Sequence, residues 1–329
     1  MKFRTFFSYF IAAFSAWNHD KVSVWAAALS YYTVFSLSPL LLVVIGIAGI
    51  VFGTQSVQMS IFHQIRGLIG HDGASLLETM VQRSDKTSTG ILATIIGGIT
   101  LLLGASGVFG QLQEALNHIW NVEPKPDAGI FVTLRNRVLS FSMVIVIAFL
   151  LLVPLIISAL ITGISTFFSQ LLPLSGVLLE SLNFLISFAI ISILFMLLFK
   201  QLPDVKLRWR DVAVGGVVTA FLFVIGKTAI GLYLGEKSFT STYGAAASLV
   251  ILLLWVYYIA QILFYGAEFT KVYVTKREGG IIPESYAMVK EPDKGKQIIQ
   301  ENVIDAAVKG YLKEKVKEKQ KKKPKKQKK

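Results

Sequence analysis

Lys227 is the hardest residue of this sequence to place, because it stands inside the apolar run Val212–Gly235. A charge in hydrocarbon is costly unless it snorkels to an interface, pairs, or meets water. At roughly 1.5 Å of rise per residue, Lys227 lies about 22 Å along a helix that starts at Val212, in the far half of a bilayer. Two roles fit that depth. The ammonium either reaches the far interface beside Glu236, or lines a cavity where it would hold an anionic headgroup or a substrate carboxylate. Gly226-Lys227-Thr228 imitates the end of a phosphate-binding loop, but that loop needs glycine where Phe221 stands, so the likeness is rejected. Hydroxyl groups could share a cavity with Lys227: Tyr31, Tyr32 and Ser36 in the first apolar run, Tyr243 at the head of the last, and Tyr257 and Tyr258 deeper within it. Lipid offers no partner for them, so they should face protein or water.

A second group of polar residues falls at the ends of the apolar runs. Glu114, Asn117 and His118 share one helix face at i, i+3, i+4. A Glu-x-x-x-His pair could begin a metal site, but three or four ligands are needed and His19, His63 and His71 are scattered, so no metal is assigned. Asp204, Arg208, Arg210 and Asp211 precede the fifth run, and Glu268 follows the sixth. Pairs such as Glu268 with Arg208 or Arg210, and Glu114 with Arg135 or Arg137, would close the bundle or form a gate that breaks and reforms; the competing reading is solvated charges that only set topology. No catalytic residue is assigned. A nuclease calls for clustered carboxylates around two metals or a His acid–base pair, and Asp127, Asp204 and Asp211 have no such spacing. The absence of Cys removes thiolate chemistry and disulfides.

The elements that must position these groups are apolar helices. Of 329 residues, 53% are hydrophobic, and the mean hydropathy is +0.60. No Asp, Glu, Lys or Arg occurs between Lys21 and Arg66. Long apolar runs at 26–52, 90–112, 138–163, 181–199, 212–235 and 243–266 predict an all-α integral membrane protein with six transmembrane helices. Pro154 predicts a kink in the third. Phe3, Phe6, Phe7, Phe10, Phe14 and Trp17 form a stripe at helical spacing, which predicts an N-terminal helix in the headgroup plane that enters the first span through the polar elbow 18–21. A signal peptide is the rival reading, and the abundance of Phe counts against it. Segment 53–89 predicts two short helices capping the outside, on either side of Gly67–Gly73.

Lys and Arg in the connecting segments favour one side by 10 to 4 even without the C-terminal tail, which places both termini in the cytoplasm. Residues 1–275 then form the membrane domain and 276–329 a basic cytoplasmic tail, linked through Gly279, Gly280, Pro283, Pro292 and Gly295, partly helical and then disordered. The net charge of +13 belongs largely to this tail, where residues 321–329 include seven Lys, so it predicts contact with anionic lipid rather than specific nucleic-acid binding. Membrane lipids are the expected partners and no cofactor is expected. No residue pattern specifies a substrate, a coupling ion or an oligomeric state.

Five segments in this order resemble the YihY/BrkB family of bacterial inner-membrane proteins, once labelled ribonuclease BN: 27–42 (AALSYYTVFSLSPLLL), 112–122 (LQEALNHIWNV), 202–218 (LPDVKLRWRDVAVGGVV), the Lys227 span, and 241–269, which ends in LFYGAEF. The resemblance covers about residues 5–275. It implies a six-helix inner-membrane protein, with envelope or lipid transport and resistance to serum killing among the suggested roles, and it treats the nuclease label as a misassignment. The function expected is therefore a transporter or a protein handling lipid or envelope components through a polar intramembrane cavity. A non-catalytic scaffold with a lipid-binding basic tail is the alternative.

Overall fold

The computed structural model describes residues 3–85, 107–129, 176–236, 246–278 and 280–290. Arg135, Arg137, Pro154, Tyr243, the expected span 138–163, most of 90–112 and the Lys-rich tail lie outside the described residues. Among those described, the chain is mostly helical: α1 (Phe3–His19), α2 (Val22–Phe52), α3 (Thr54–Asp85), α4 (helical over 107–120), α5 (Gly176–Gln201), α6 (Trp209–Glu236) and α7 (Ala247–Glu278). Segments of α5, α6 and α7 (Phe184–Gln201, Trp209–Ile230, Ala247–Arg277) are long and apolar enough to cross a membrane, and α2 is a fourth candidate if its bent halves count as one span. That bend, 46° between Val22–Ser38 and Leu40–Gly46, falls at Pro39, whose missing N–H breaks the helix ladder.

The polar elbow is a real break. Lys21 sits in the left-handed region (φ 49°), between the end of α1 and the start of α2. α1 packs along α7 through its small residues, with Ala12, Ala13 and Ala16 fully buried. Tyr265 donates to the Phe10 carbonyl at 3.0 Å, and Trp17 Nε1 donates to Gln261 Oε1 at 3.1 Å. Phe7 and Phe14 are left exposed. The side of α1 that meets protein is thus its alanine face, and part of the predicted Phe stripe turns outward.

Gly70 (φ 78°, ψ 178°) interrupts α3, a conformation that only glycine adopts without strain. The two arms bury Val57, Ile61, Phe62, Leu77 and Val81 against Val34, Leu41 and Val44 of α2 and Leu252 and Trp255 of α7.

The α6–α7 contact is reciprocal. A Cβ on Gly215 would come within 1.9 Å of Thr270 Oγ1, and a Cβ on Gly266 within 1.9 Å of Thr219 Oγ1. Gly215 and Thr219 are four residues apart on one helix, as are Gly266 and Thr270 on the other, so the pairing order makes the helices antiparallel. Each threonine hydroxyl donates back to the carbonyl of the glycine on its own helix at 2.7 Å, which leaves no polar group of the pair unsatisfied. The neighbouring Gly216 faces the other way, where a Cβ would meet the Ser192 carbonyl of α5 at 2.9 Å. Adjacent glycines therefore seat α6 between α5 and α7.

Residues 280–290, read from sequence as linker, are docked. β2 (Ala287–Val289) pairs antiparallel with β1 (Val122–Pro124), and Val205 bridges to Pro283. The Lys206 N–H donates to the Ile282 carbonyl at 2.8 Å, the Glu284 N–H to the Asp204 carbonyl at 3.0 Å, and the Lys290 N–H to the Asn121 carbonyl at 2.9 Å. Glycine and proline mark the bends of this segment, while Tyr286 and Ala287 carry its contacts. It clasps together the loops that follow α4 and α5.

Candidate functional site: buried charges and a cavity at the elbow end

The α1–α2 elbow, the last turn of α4, the α5–α6 loop, the final turns of α7 and the clasp all meet at one end of the bundle. Their polar side chains form two linked centres. The first is a charge cluster. Lys271, on α7 one turn past Glu268, places Nζ 2.9 Å from Asp20 Oδ2, 3.0 Å from Glu268 Oε2 and 2.7 Å from the Ile119 carbonyl at the end of α4. One ammonium thus ties three elements together. Glu268 is fully buried beside both Asp20 and Lys271. Burial alone would raise the Asp20 carboxyl. The Lys271 charge, with the hydrogen bonds from Glu268, His19 and Lys271, more than reverses this and holds it below the ordinary carboxylate value. One ammonium thus serves two carboxyl groups, those of Asp20 and Glu268.

The second centre is Asp204, fully buried in the α5–α6 loop. It accepts from Gln113 Nε2 (3.1 Å), Asn117 Nδ2 (2.8 Å) and the Tyr286 hydroxyl (3.1 Å), while its own N–H donates to Asn117 Oδ1 at 2.8 Å. Helix α4, the loop and the clasp thus share one carboxylate. Beside it opens a cavity of about 420 Å³ lined by residues that include Trp25, Glu114, His118, Glu123 and Lys290. The His118 ring lies 4.8 Å from the Trp25 ring. Partial burial, with the charges of Lys290 and Lys271, keeps this imidazole below its ordinary 6.5 in spite of the pull of Asp20.

The residues singled out from sequence are distributed unevenly over this arrangement. Asn117 and Asp204 meet directly, and Glu114 stands on the same α4 face with its carboxylate at the cavity. Glu268 takes Lys271 as its charge partner rather than Arg208 or Arg210, because Lys271 follows it by one turn and is buried with it. Arg208 instead reaches Asp211 at 3.1 Å, from which Arg277 lies 3.5 Å away, while Arg210 is exposed. Towards the other end of the helices, Ser36 is buried opposite Gly107, and Tyr257 packs against the core. The Tyr258 phenol covers Gly226, where a Cβ would lie 2.4 Å from its oxygen. Lys227 is exposed one residue further on, and Tyr31 (59%) and Tyr32 (46%) are exposed with their rings 5.9 Å apart. Tyr258 therefore approaches Lys227 along the chain, but Tyr31 and Tyr32 do not meet it in a shared enclosed pocket among the described residues.

Asp20, Lys271, Gln113 and Tyr286 were missed. Lys271 interrupts the apolar stretch Phe264–Val274, the mark of a buried charge, but a span ended at Gly266 assigns it to the tail.

No solved structure matches this chain. Among curated proteins it is similar to UPF0761 membrane proteins: at 30% identity in Vibrio atlanticus, covering 88% of each chain; at 31% in Vibrio parahaemolyticus, covering 80% of this chain and 81% of the relative; and at 29% in Tolumonas auensis, covering 77% and 80%. The family described as Virulence factor BrkB matches residues 13–287, from the middle of α1 to the first residue of the clasp strand. The match thus takes in Asp20, Asn117, Asp204, Glu268 and Lys271 together, and this chain belongs to the BrkB family of membrane proteins.

Proposed function

We propose that this protein is a non-enzymatic transporter, or a lipid- or envelope-component handling protein, of the bacterial inner membrane. In this reading six helices span the bilayer, both termini are cytoplasmic, and α1 lies in the headgroup plane with Phe7 and Phe14 toward lipid. The elbow end is then the cytoplasmic end. The observation that carries the proposal is the Lys271 tie between the elbow, α4 and α7. A buried ion cluster is commonly no more stable than well-packed apolar residues in its place, so it is poor glue. Its charges suit a latch that opens when α7 parts from the elbow and lets an amphipathic substrate pass, by rocking of helices as in other secondary transporters. The Lys-rich tail would rest on anionic lipid, each nearby basic side chain adding about 1 kcal/mol.

The test is reconstitution of the full chain in liposomes, following labelled lipids and small organic anions. Movement is expected with the native protein and a loss of at least tenfold with Glu268→Gln. A native protein that moves none of these probes would overturn the proposal and leave the scaffold reading.

A further inference from the structure

We propose that the cavity between α2, α4 and the clasp binds an ammonium-bearing group. Among the described residues its carboxylates are Glu114 and Glu123 and its cation is Lys290, which stands 3.8 Å from Glu123. Glu114 has no ion pair or hydrogen bond among the described residues, so the cavity has one negative charge to offer. The amide donors in its wall are already taken: Gln113 Nε2 and Asn117 Nδ2 both point at Asp204. Among the described lining residues an anion entering here would find one cation, Lys290, and that one opposite a carboxylate. An ammonium would find the Glu114 oxygens and the π surface of the Trp25–His118 pair, which attracts cations most strongly where water is partly excluded. A volume of about 420 Å³ exceeds what a bare ammonium needs and falls in the range of small-ligand sites. The ligand is accordingly an organic amine or the headgroup of an amine-bearing lipid. This inference concerns binding alone and holds whether or not the bound group is transported.

The experiment uses the purified full chain. In one arm, ethanolamine and phosphoethanolamine are titrated in detergent, with inorganic phosphate as control. In the other, thermal unfolding is followed in nanodiscs of phosphatidylglycerol alone or with 30% phosphatidylethanolamine. The amine, and not phosphate, should raise the unfolding temperature, with at least tenfold weaker binding in Glu114→Gln and in Trp25→Leu. Glu114 is exposed, so its variant should keep the unliganded unfolding temperature, and that measurement separates lost binding from lost fold. A response to the soluble amines assigns the site to free organic cations, and a response only in nanodiscs assigns it to lipid headgroups. Phosphate binding as strong as the amine, an undiminished response in Glu114→Gln, or no amine response in either arm would overturn the inference.

Discussion

Lys271 Nζ on α7 lies 2.9 Å from Asp20 Oδ2 at the elbow between α1 and α2, across 251 residues of sequence. With Glu268 one turn away, the contact leaves three ionisable groups almost without water. Their energetics predict an asymmetry. Lys271→Met alone leaves two buried carboxyl groups without their ammonium partner and should destabilise the protein by about 3–5 kcal/mol. The triple change Asp20→Asn, Glu268→Leu, Lys271→Met should restore stability to the native value or above it. Unfolding in mixed micelles measures both, and a triple variant as unstable as the single one would show that the cluster is structural glue.

The reciprocal glycine–threonine contacts predict a rescue. Gly215→Ala drives a methyl into Thr270 and should cost about 1–3 kcal/mol by overpacking. Gly215→Ala with Thr270→Ala vacates that space and should recover most of the loss. A single alanine at residue 215 that leaves the unfolding temperature unchanged would contradict the close approach of α6 and α7.

His118 predicts a pH effect of definite sign. Its folded value is below the ordinary 6.5, so between the two the unfolded chain holds more protons. Its contribution to stability should be complete above 6.5 and should fall with pH down to the folded value. Asp20 does not interfere, because its own contribution persists until pH drops below 3.8. The stability difference between the native protein and His118→Gln, measured from pH 7.5 to 5, should change in this direction. A flat difference would contradict the placement of the ring.

Asp204 predicts a coupling between loop and clasp. Asp204→Ala removes an acceptor shared by Gln113, Asn117 and Tyr286, and a buried donor left unsatisfied, such as Asn117 Nδ2, costs about 1–3 kcal/mol. Limited trypsin digestion should then cut after Lys290 faster than in the native protein. Unchanged cleavage would mean that the strand pairing with Val122–Pro124 holds the clasp without Asp204.

Much of the helical plan was legible because hydrocarbon-length apolar runs have one main physical use. The elbow was legible because four polar residues interrupt such a run, and the α3 break because glycines cluster at 67–73. The site was less legible. Glu268 announced itself as a carboxylate beside an apolar helix, yet its partner depended on where α7 ended, and the helix runs to Glu278, well beyond the hydrophobic stretch. Arg208 and Arg210, expected on the same side of the bundle, looked like better partners because burial cannot be read from spacing. The clasp was hidden for another reason: three-residue strands carry almost no periodicity, and their pairing joins positions far apart in the chain. The aromatic hydroxyls failed differently. Position along a helix does not fix rotation about its axis, and Tyr31 and Tyr32 turn outward.

The central claim, that α7 and the elbow must part during transport, can be tested by holding them together. The chain has no native cysteine, and Phe10 and Phe269 pack with ring centroids 4.8 Å apart beside the charge cluster. Cysteines at these two positions, joined by a short cleavable bismaleimide, would clamp α1 to α7 in liposomes that carry the labelled substrate. The account predicts that transport stops on cross-linking and returns when the linker is cleaved. Transport that continues at the native rate through the clamped protein would contradict it.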